Sequence, residues 1–188
     1  TRDLDGYLRS LAIAASVRRA APGDVPRISQ LTQRTNQFNL TTRRYTLEAV
    51  ERMLKNPAWS ILALSVRDRF GDEGTVGVAM VKHREHAATI DSFLLSCRVL
   101  GRGIEQAFLA AVAEHCRAHG RRLIRGMYIP TAKNTQAAGF LEVQGFGKAG
   151  EDGDAVVWEL PMNGRMPESP EWIDLRWDEE SRKDGDDG

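Results

Sequence analysis

The stretch from His86 to Gly120 constrains the fold more than any other part of the chain. "HAATIDSFLLSC" (86–97) is a largely apolar run of strand length. "RVLGRG" follows, and then a segment with Ile104, Ala107, Phe108, Ala111, Val112 and Cys116 on one helical face and Gly120 as its stop. A strand that turns at once into an amphipathic helix must lay that helix back across a sheet, which points to an α/β fold. The flanking segments agree. "SVRRA" (16–20) reads as a strand. Asp24 as cap and Pro26 in the first turn start a helix with the stripe Val25, Ile28 and Leu31. Thr46 caps a second helix, "LEAVERMLKN", which stops before Pro57. "WSILALSVRD" and "TVGVAMVKHR" form a hairpin around "RFGDEG". "RRLIRGMYIP" is a further strand, "NTQAAGFLEVQ" a short helix ending at Gly145, and "FGKAGEDGDAVVWELP" a closing hairpin. The order β-α-α-β-β-β-α-β-α-β-β predicts one mixed, mostly antiparallel sheet with helices on both faces.

The 188 residues suffice for one such domain with short additions at its ends. Leu4, Tyr7, Leu8 and Leu11 stand at helical spacing, so 1–15 reads as a connector helix from an absent upstream domain. The domain proper is expected over 16–161. The segment 162–188 reads as an acidic, loosely ordered tail in which Trp172, Ile173, Leu175 and Trp177 dock as one apolar patch. Lysine plus arginine equals aspartate plus glutamate, 26 each, which argues against a nucleic-acid or membrane-surface partner. The charge is nonetheless uneven: six arginines and one acid lie between Val17 and Tyr45. Two cysteines do not make a disulfide framework, and no apolar run is long enough to span a bilayer, so a cytoplasmic location is expected.

The glycine-rich turn admits two readings. The first amides of a helix have no partner within it and carry a partial positive charge. Gly101 and Gly103 allow close approach, and Arg98 and Arg102 add full charges, so the loop suits a phosphate or diphosphate. The alternative is a strand-to-helix turn that needs positive φ. The loop is not a P-loop, since no Gly-Lys-Ser/Thr follows. Nor is it a dinucleotide fingerprint, since the third glycine is missing.

Cys97 ends the strand beside this loop. A helix N-terminus and arginines are a setting for a thiolate nucleophile, although cysteine is also common as plain core. Cys116 falls on the buried helix face and reads as packing. Asp91 on the same strand is either a base aimed into the site or a structural hydrogen-bonding group. In "TNQFNLTTRRY", Asn36, Gln37, Asn39 and Arg43 offer hydrogen bonds to a hydroxylated acyl group, or cap helices and line a solvated loop. Tyr128 and Lys133 flank the end of the next strand. His83, His86, His115 and His119 form no metal set and read as solvated surface.

The chain resembles the Gcn5-related N-acetyltransferases (GNAT) over roughly residues 16–160. The element order is similar. Arg98-x-x-Gly101-x-Gly103 resembles that family's Gln/Arg-x-x-Gly-x-Gly/Ala loop, and "NTQAAGFLEVQGF" supplies Asn134, Ala137, Phe140, Gly145 and Phe146 of its second motif. "LTQRTNQFNLTTRRYT", "DSFLLSCRVLGRGIE" and "YIPTAKN" narrow the resemblance to the C-terminal GNAT-like half of FkbH-type proteins of polyketide extender-unit biosynthesis.

That resemblance implies an acyltransferase handling a pantetheine-linked glyceryl thioester and an acyl carrier protein, joined to an upstream phosphatase-like domain. It implies coenzyme A, or a carrier's phosphopantetheine, held by Arg98, Gly101, Arg102, Gly103, Ile104 and Asn134, with Leu94, Leu95 and Ser96 pairing to the arm's amides. The residue chemistry given above makes Cys97 and Asp91 the catalytic candidates for it. Substrate contacts fall to Asn36, Gln37, Asn39, Arg43 and Tyr128, with 18–44 attracting the acidic carrier. Two positions depart from the pattern. Leu141 stands where the family commonly has a tyrosine acid. Aligned by its helix, the loop puts Glu105 where a small residue is expected. These leave two further functions open: an acetyl-CoA-dependent N-acetyltransferase of a small amine, and a non-catalytic carrier-docking module.

Overall fold

The computed structural model describes residues 2–178. Nine strands form one sheet in the order β7-β8-β6-β5-β4-β3-β1-β9, with β2 added to β5. They are β1 (Ile13–Arg19), β2 (Phe38–Asn39), β3 (Trp59–Asp68), β4 (Gly71–Arg84), β5 (Ala87–Leu95), β6 (Leu123–Tyr128), β7 (Gly147–Asp152), β8 (Ala155–Pro161) and β9 (Ile173–Trp177). Every pairing is antiparallel except β1 with β9 and β5 with β6. The helices are α1 (Arg2–Ser10), α2 (Val25–Arg34), α3 (Leu47–Lys55), α4 (Ile104–Ala118) and α5 (Phe140–Val143).

The two sheet faces are buried differently. Val25, Ile28 and Leu31 of α2, with Val50 and Met53 of α3, pack on Ile61, Val78, Met80 and Leu94. On the other face α4 lays Ala107, Phe108, Ala111, Val112 and Cys116 against the main core, with Leu8 from α1, Leu11 just after it, and Phe140 and Leu141 from α5. Helix periodicity fixes these faces, because residues three and four apart come to the same side of the helix. Burial pushes the Cys116 thiol up to about 12, which leaves it as inert packing.

The expected elements are present, with β2 and β9 added. The stretch 1–15 expected as a connector helix is helical only to Ser10, and Ile13–Ala15 already belong to β1 because the Ile13 and Ala15 side chains enter the core. The segment from 162 is bound to the fold: Ile173–Trp177 pair in parallel with Ile13–Val17. The acidic residues from Glu179 onward lie outside the described residues. Asp24 precedes α2 but makes no side-chain cap, because its carboxylate takes the Arg18 guanidinium and the Ala21 N–H instead. Thr46 does cap α3, accepting from Ala49 N at 3.2 Å.

β5 and β6 decide where a site can lie. Their parallel pairing stops at Ile90 and Gly126. At that point β5 shifts register against β4, pairing Ile90 with Val81 and Ser92 with Met80, so Asp91 is the extra residue of a bulge. Beyond it the strands part.

Candidate functional site

The gap between β5 and β6 is filled by the chain itself. Phe38 and Asn39 pair with Leu95 and Leu94. Leu40 N–H donates to Phe93 O at 3.1 Å, and Ile129 N–H donates to Leu40 O at 2.9 Å, so the segment bridges both strands. The Phe38 ring meets Phe93 and Phe140 edge-on, at 6.2 and 5.0 Å between centroids. Asn134 fastens the bridge. Its Nδ2 donates to Asn39 O and to Ile129 O, both at 2.9 Å, and its Oδ1 accepts from Thr131 N–H at 2.8 Å.

This arrangement revises several expected contacts. The edge of Leu94 and Leu95 is already paired, and Ser96 N–H donates to Val76 O at 2.7 Å, so neither is open to a pantetheine amide. Asn134 and Asn39 are fully buried structural groups. Asn39 spends its side chain on Thr35 O and Thr42 N. Tyr128 is buried, its hydroxyl directed at Asn134, and burial raises its pKa. Asn36 accepts from Arg44, and Gln37 and Lys133 are exposed.

The glycine loop is occupied in the same way. Gly101 and Gly103 have φ of +82° and +81°, the left-handed conformations that glycine tolerates best. Arg98 pairs with Glu73 at 3.2 Å and Arg102 with Asp68 at 3.3 Å. The C-terminal segment lies over Gly103: a Cβ there would stand 2.8 Å from Pro170 Cγ and 3.3 Å from Trp172 Cζ2. Trp172 Nε1 donates to Arg102 O at 2.8 Å, and Gln106 Nε2 to Glu168 O at 3.0 Å. Ile104 is buried core.

Glu105 completes the closure. Its carboxyl is raised in pKa, chiefly by burial, while the N–H groups of Gly101 and of Glu105 itself favour its charged form. Its Oε2 is buried without a hydrogen-bond partner. The helix start therefore holds an acidic side chain of its own. In this conformation the residues do not fit a coenzyme A diphosphate or its arm: the amides face Glu105, the arginines are paired, and the strand edge is taken.

A polar site remains at the bulge. Asp91 Oδ1 accepts from Arg43, and its Oδ2 accepts from Tyr45 and, at 3.0 Å, from Ser92 Oγ. Thr41 Oγ1 donates to Asp91 O at 2.9 Å. Burial first, and then the bond to Asp91, raise the Tyr45 phenol well above its ordinary value. Thr42, between these donors, has φ +55° and a buried, unpartnered hydroxyl. Three side-chain donors on one carboxylate make Asp91 an anchor for the Thr41–Tyr45 segment and not a free base. Sequence reasoning misses Tyr45; its one signal is that it stands two residues from Arg43 in the same polar run.

Cys97 lies elsewhere. It is exposed, opening a 3₁₀ turn at the end of β5. Six residues of extended chain separate it from Asp91, about 20 Å, so the two expected catalytic groups do not meet.

The histidines differ most from expectation. His83 and His115 are buried about Ser60, with Nε2 to Oγ distances of 2.8 and 2.9 Å. Arg121 Nε donates to His83 Nδ1 at 3.2 Å. Since arginine only donates, neutral His83 carries its proton on Nε2, gives it to Ser60 Oγ, and Ser60 in turn donates to His115. Burial is the first cause lowering His83 to about 4 and His115 to about 3. Such weak bases do not activate a hydroxyl near neutral pH. The cluster lies at the opposite end of the sheet from the glycine loop. Among the described residues no group of three potential ligands is arranged for a metal ion, and no helix is long and apolar enough to cross a membrane.

Comparison with solved structures agrees with this architecture. The ribosomal-protein-S18-alanine N-acetyltransferase of Escherichia coli is similar over 84% of this chain and 97% of its own, with a TM-score of 0.60 and 14% identity. The spermidine N-acetyltransferase SpeG of Vibrio cholerae, solved as a mutant form, matches over 79% and 94%, with a TM-score of 0.59 and 13% identity. The PaiA N-acetyltransferase of Thermoplasma acidophilum, solved with coenzyme A, matches over 78% and 98%, with a TM-score of 0.57 and 14% identity. No family model and no curated protein matches the chain. The fold is thus the mixed α/β fold of the GNAT acetyltransferases.

Proposed function

We propose that this is an acyltransferase domain in which Cys97 carries the acyl group and the pantetheine thiol of an acyl carrier protein receives it. The observation that supports this reading is a contrast. Phe38–Leu40 fill the gap between β5 and β6, whereas Cys97 stands exposed where β5 ends. Chemistry at an exposed thiol does not require the arm to thread the sheet. In the first step the Cys97 thiolate attacks the carbonyl of an acyl phosphate, the carbon–oxygen bond to phosphate breaks, and phosphate leaves with the electron pair. In the second the carrier thiolate attacks the thioester, the bond to Cys97 Sγ breaks, and the Cys97 thiolate is restored. The FkbH-type resemblance makes glyceryl, from 1,3-bisphosphoglycerate, the acyl group of choice, delivered with an upstream phosphatase-like domain.

The test is intact-mass analysis of the domain and a holo carrier protein incubated with 1,3-bisphosphoglycerate, with and without the upstream domain. Acylated Cys97 and then acylated carrier are expected, and Cys97→Ser removes both. Transfer that survives Cys97→Ser removes the covalent step.

A second reading is an acetyl-CoA-dependent N-acetyltransferase, favoured by the activities named for the similar structures. It requires Phe38–Leu40 and the Trp172 segment to leave their places. Calorimetry separates the two: tight acetyl-CoA binding by the isolated domain supports the second. Carrier binding with no transfer in any combination leaves a docking module.

A further inference from the structure

We propose that Arg27, Arg34 and Arg98 form the surface on which an acidic partner docks, namely the carrier protein of the reading above, on which this inference rests. Arg27 and Arg34 stand seven residues apart on α2, two turns along one face, roughly 10 Å. The Arg27 guanidinium reaches the sheet, donating through Nε and Nη2 to Thr75 O at 3.3 and 3.1 Å. The next residue, Val76, accepts from Ser96 N–H at 2.7 Å, which sets Arg27 against the strand end that carries Cys97. Arg98 follows Cys97 directly, with Nε 3.4 Å from Ser96 Oγ. Burial, then Arg98 and Arg34, lower the Arg27 pKa, as expected where three guanidinium groups share one locality.

Among the described residues the acid paired with this patch is Glu73, on Arg98. Arg34 is exposed and has no ion pair among the described residues. The patch therefore keeps uncompensated positive charge beside the exposed thiol. An acidic protein seated on it brings its pantetheine arm to Cys97 without passing through the sheet. Three other arginines of 18–44 are spent internally. Arg18 pairs with Asp24 and Arg43 with Asp91, and Arg44 binds Thr32 O, Thr35 O and Asn36 at the end of α2. Charge reversal at Arg43 or Arg44 thus tests folding, not docking.

The experiment titrates a fluorescently labelled, acidic holo carrier protein against the wild-type chain, Arg34→Glu and Arg98→Glu, with Arg117→Glu at the far end of α4 as control, at two salt concentrations. About 10-fold weaker binding is expected for each of the first two, with less than about 2-fold for the control and a reduced salt dependence. Partial rescue of Arg34→Glu by an acid-to-lysine change on the carrier supports direct pairing. Wild-type binding with Arg34→Glu and Arg98→Glu unchanged overturns the surface and leaves the acyl-transfer reading standing. No binding by the wild type overturns both. Equal binding of an RNA of similar charge, lost in the same variants, overturns the commitment to a protein partner.

Discussion

Phe38 meets Phe140 edge to face, with ring centroids 5.0 Å apart and planes at 79°, and this contact plugs the space where β5 and β6 separate. The plug is a core contact in its own right, since Phe38 also reaches Phe93, which stacks on Phe140 at 5.5 Å. Phe38→Ala is expected to cost about 3–5 kcal/mol, as for other buried phenylalanines. Urea unfolding measures it. A loss below about 1 kcal/mol would mean that the segment sits loosely in the gap and is displaced with little cost, which favours the N-acetyltransferase reading.

Asp91 is expected to govern the Tyr45 phenol. Asp91→Asn keeps the shape and removes the charge. Burial is the larger cause of the raised Tyr45 pKa, and the bond to Asp91 comes second. The phenol should therefore titrate at lower pH in Asp91→Asn yet remain above its ordinary value of 10.0. Alkaline absorbance titration against a Tyr45→Phe reference isolates this group. An unchanged titration would mean that the carboxylate and phenol do not meet in solution. The same variant leaves Arg43 without its carboxylate, so Thr41–Tyr45 should become more accessible to protease.

The elements carrying strong periodicity are legible from the chain. The α4 stripe and the β3–β4 hairpin repeat their apolar positions often enough that local pattern and tertiary packing agree. Short, nonlocal elements are not. β2 is two residues inside an amide-rich run, and it exists only because Leu94 and Leu95, some 55 positions later, offer an open edge. β9 is visible as the patch of Ile173, Leu175 and Trp177, but its parallel pairing with β1 has no local signature. The Ser60 cluster joins β3, β4 and α4 across 23 and 55 positions, so four scattered histidines read as surface. At the candidate site the residue types are visible, while their occupancy is not. Arg98, Arg102 and Gly103 look available in sequence and are engaged by Glu73, Asp68 and the Pro170–Trp172 segment.

The histidine cluster predicts acid sensitivity. The folded-state values of His83 and His115, about 4 and about 3, lie below the ordinary 6.5, so the unfolded chain binds more protons between these limits. Stability contributed by the neutral rings is full above pH 6.5. It falls as pH drops through that value, by up to about 1.4 kcal/mol per pH unit for each group, until about pH 4 for His83 and about pH 3 for His115. Urea midpoints between about pH 7.5 and about pH 4.5 follow this. His83→Gln should flatten the slope by about half, and a slope unchanged in that variant would mean that His83 is protonated in the folded chain.

Glu105 gives the converse case at the other end of α4. Its folded-state pKa is raised, so the folded chain holds the proton more tightly than the unfolded chain. Stability from this group is present below the unfolded value of 4.5 and is lost as pH rises through the higher folded value. Above that folded value the ionised carboxylate has a buried Oε2 with no partner, which is unfavourable. Glu105→Gln replaces it with a neutral group of the same shape. The urea midpoint of Glu105→Gln should therefore exceed that of the wild type at about pH 7.5, and the two should converge as pH approaches 4.5. If the variant is less stable near neutral pH, the amides of Gly101 and Glu105 hold the charge strongly enough to outweigh its burial. The loop would then be an anion seat whose resident anion is Glu105, and a phosphate could enter only by displacing it.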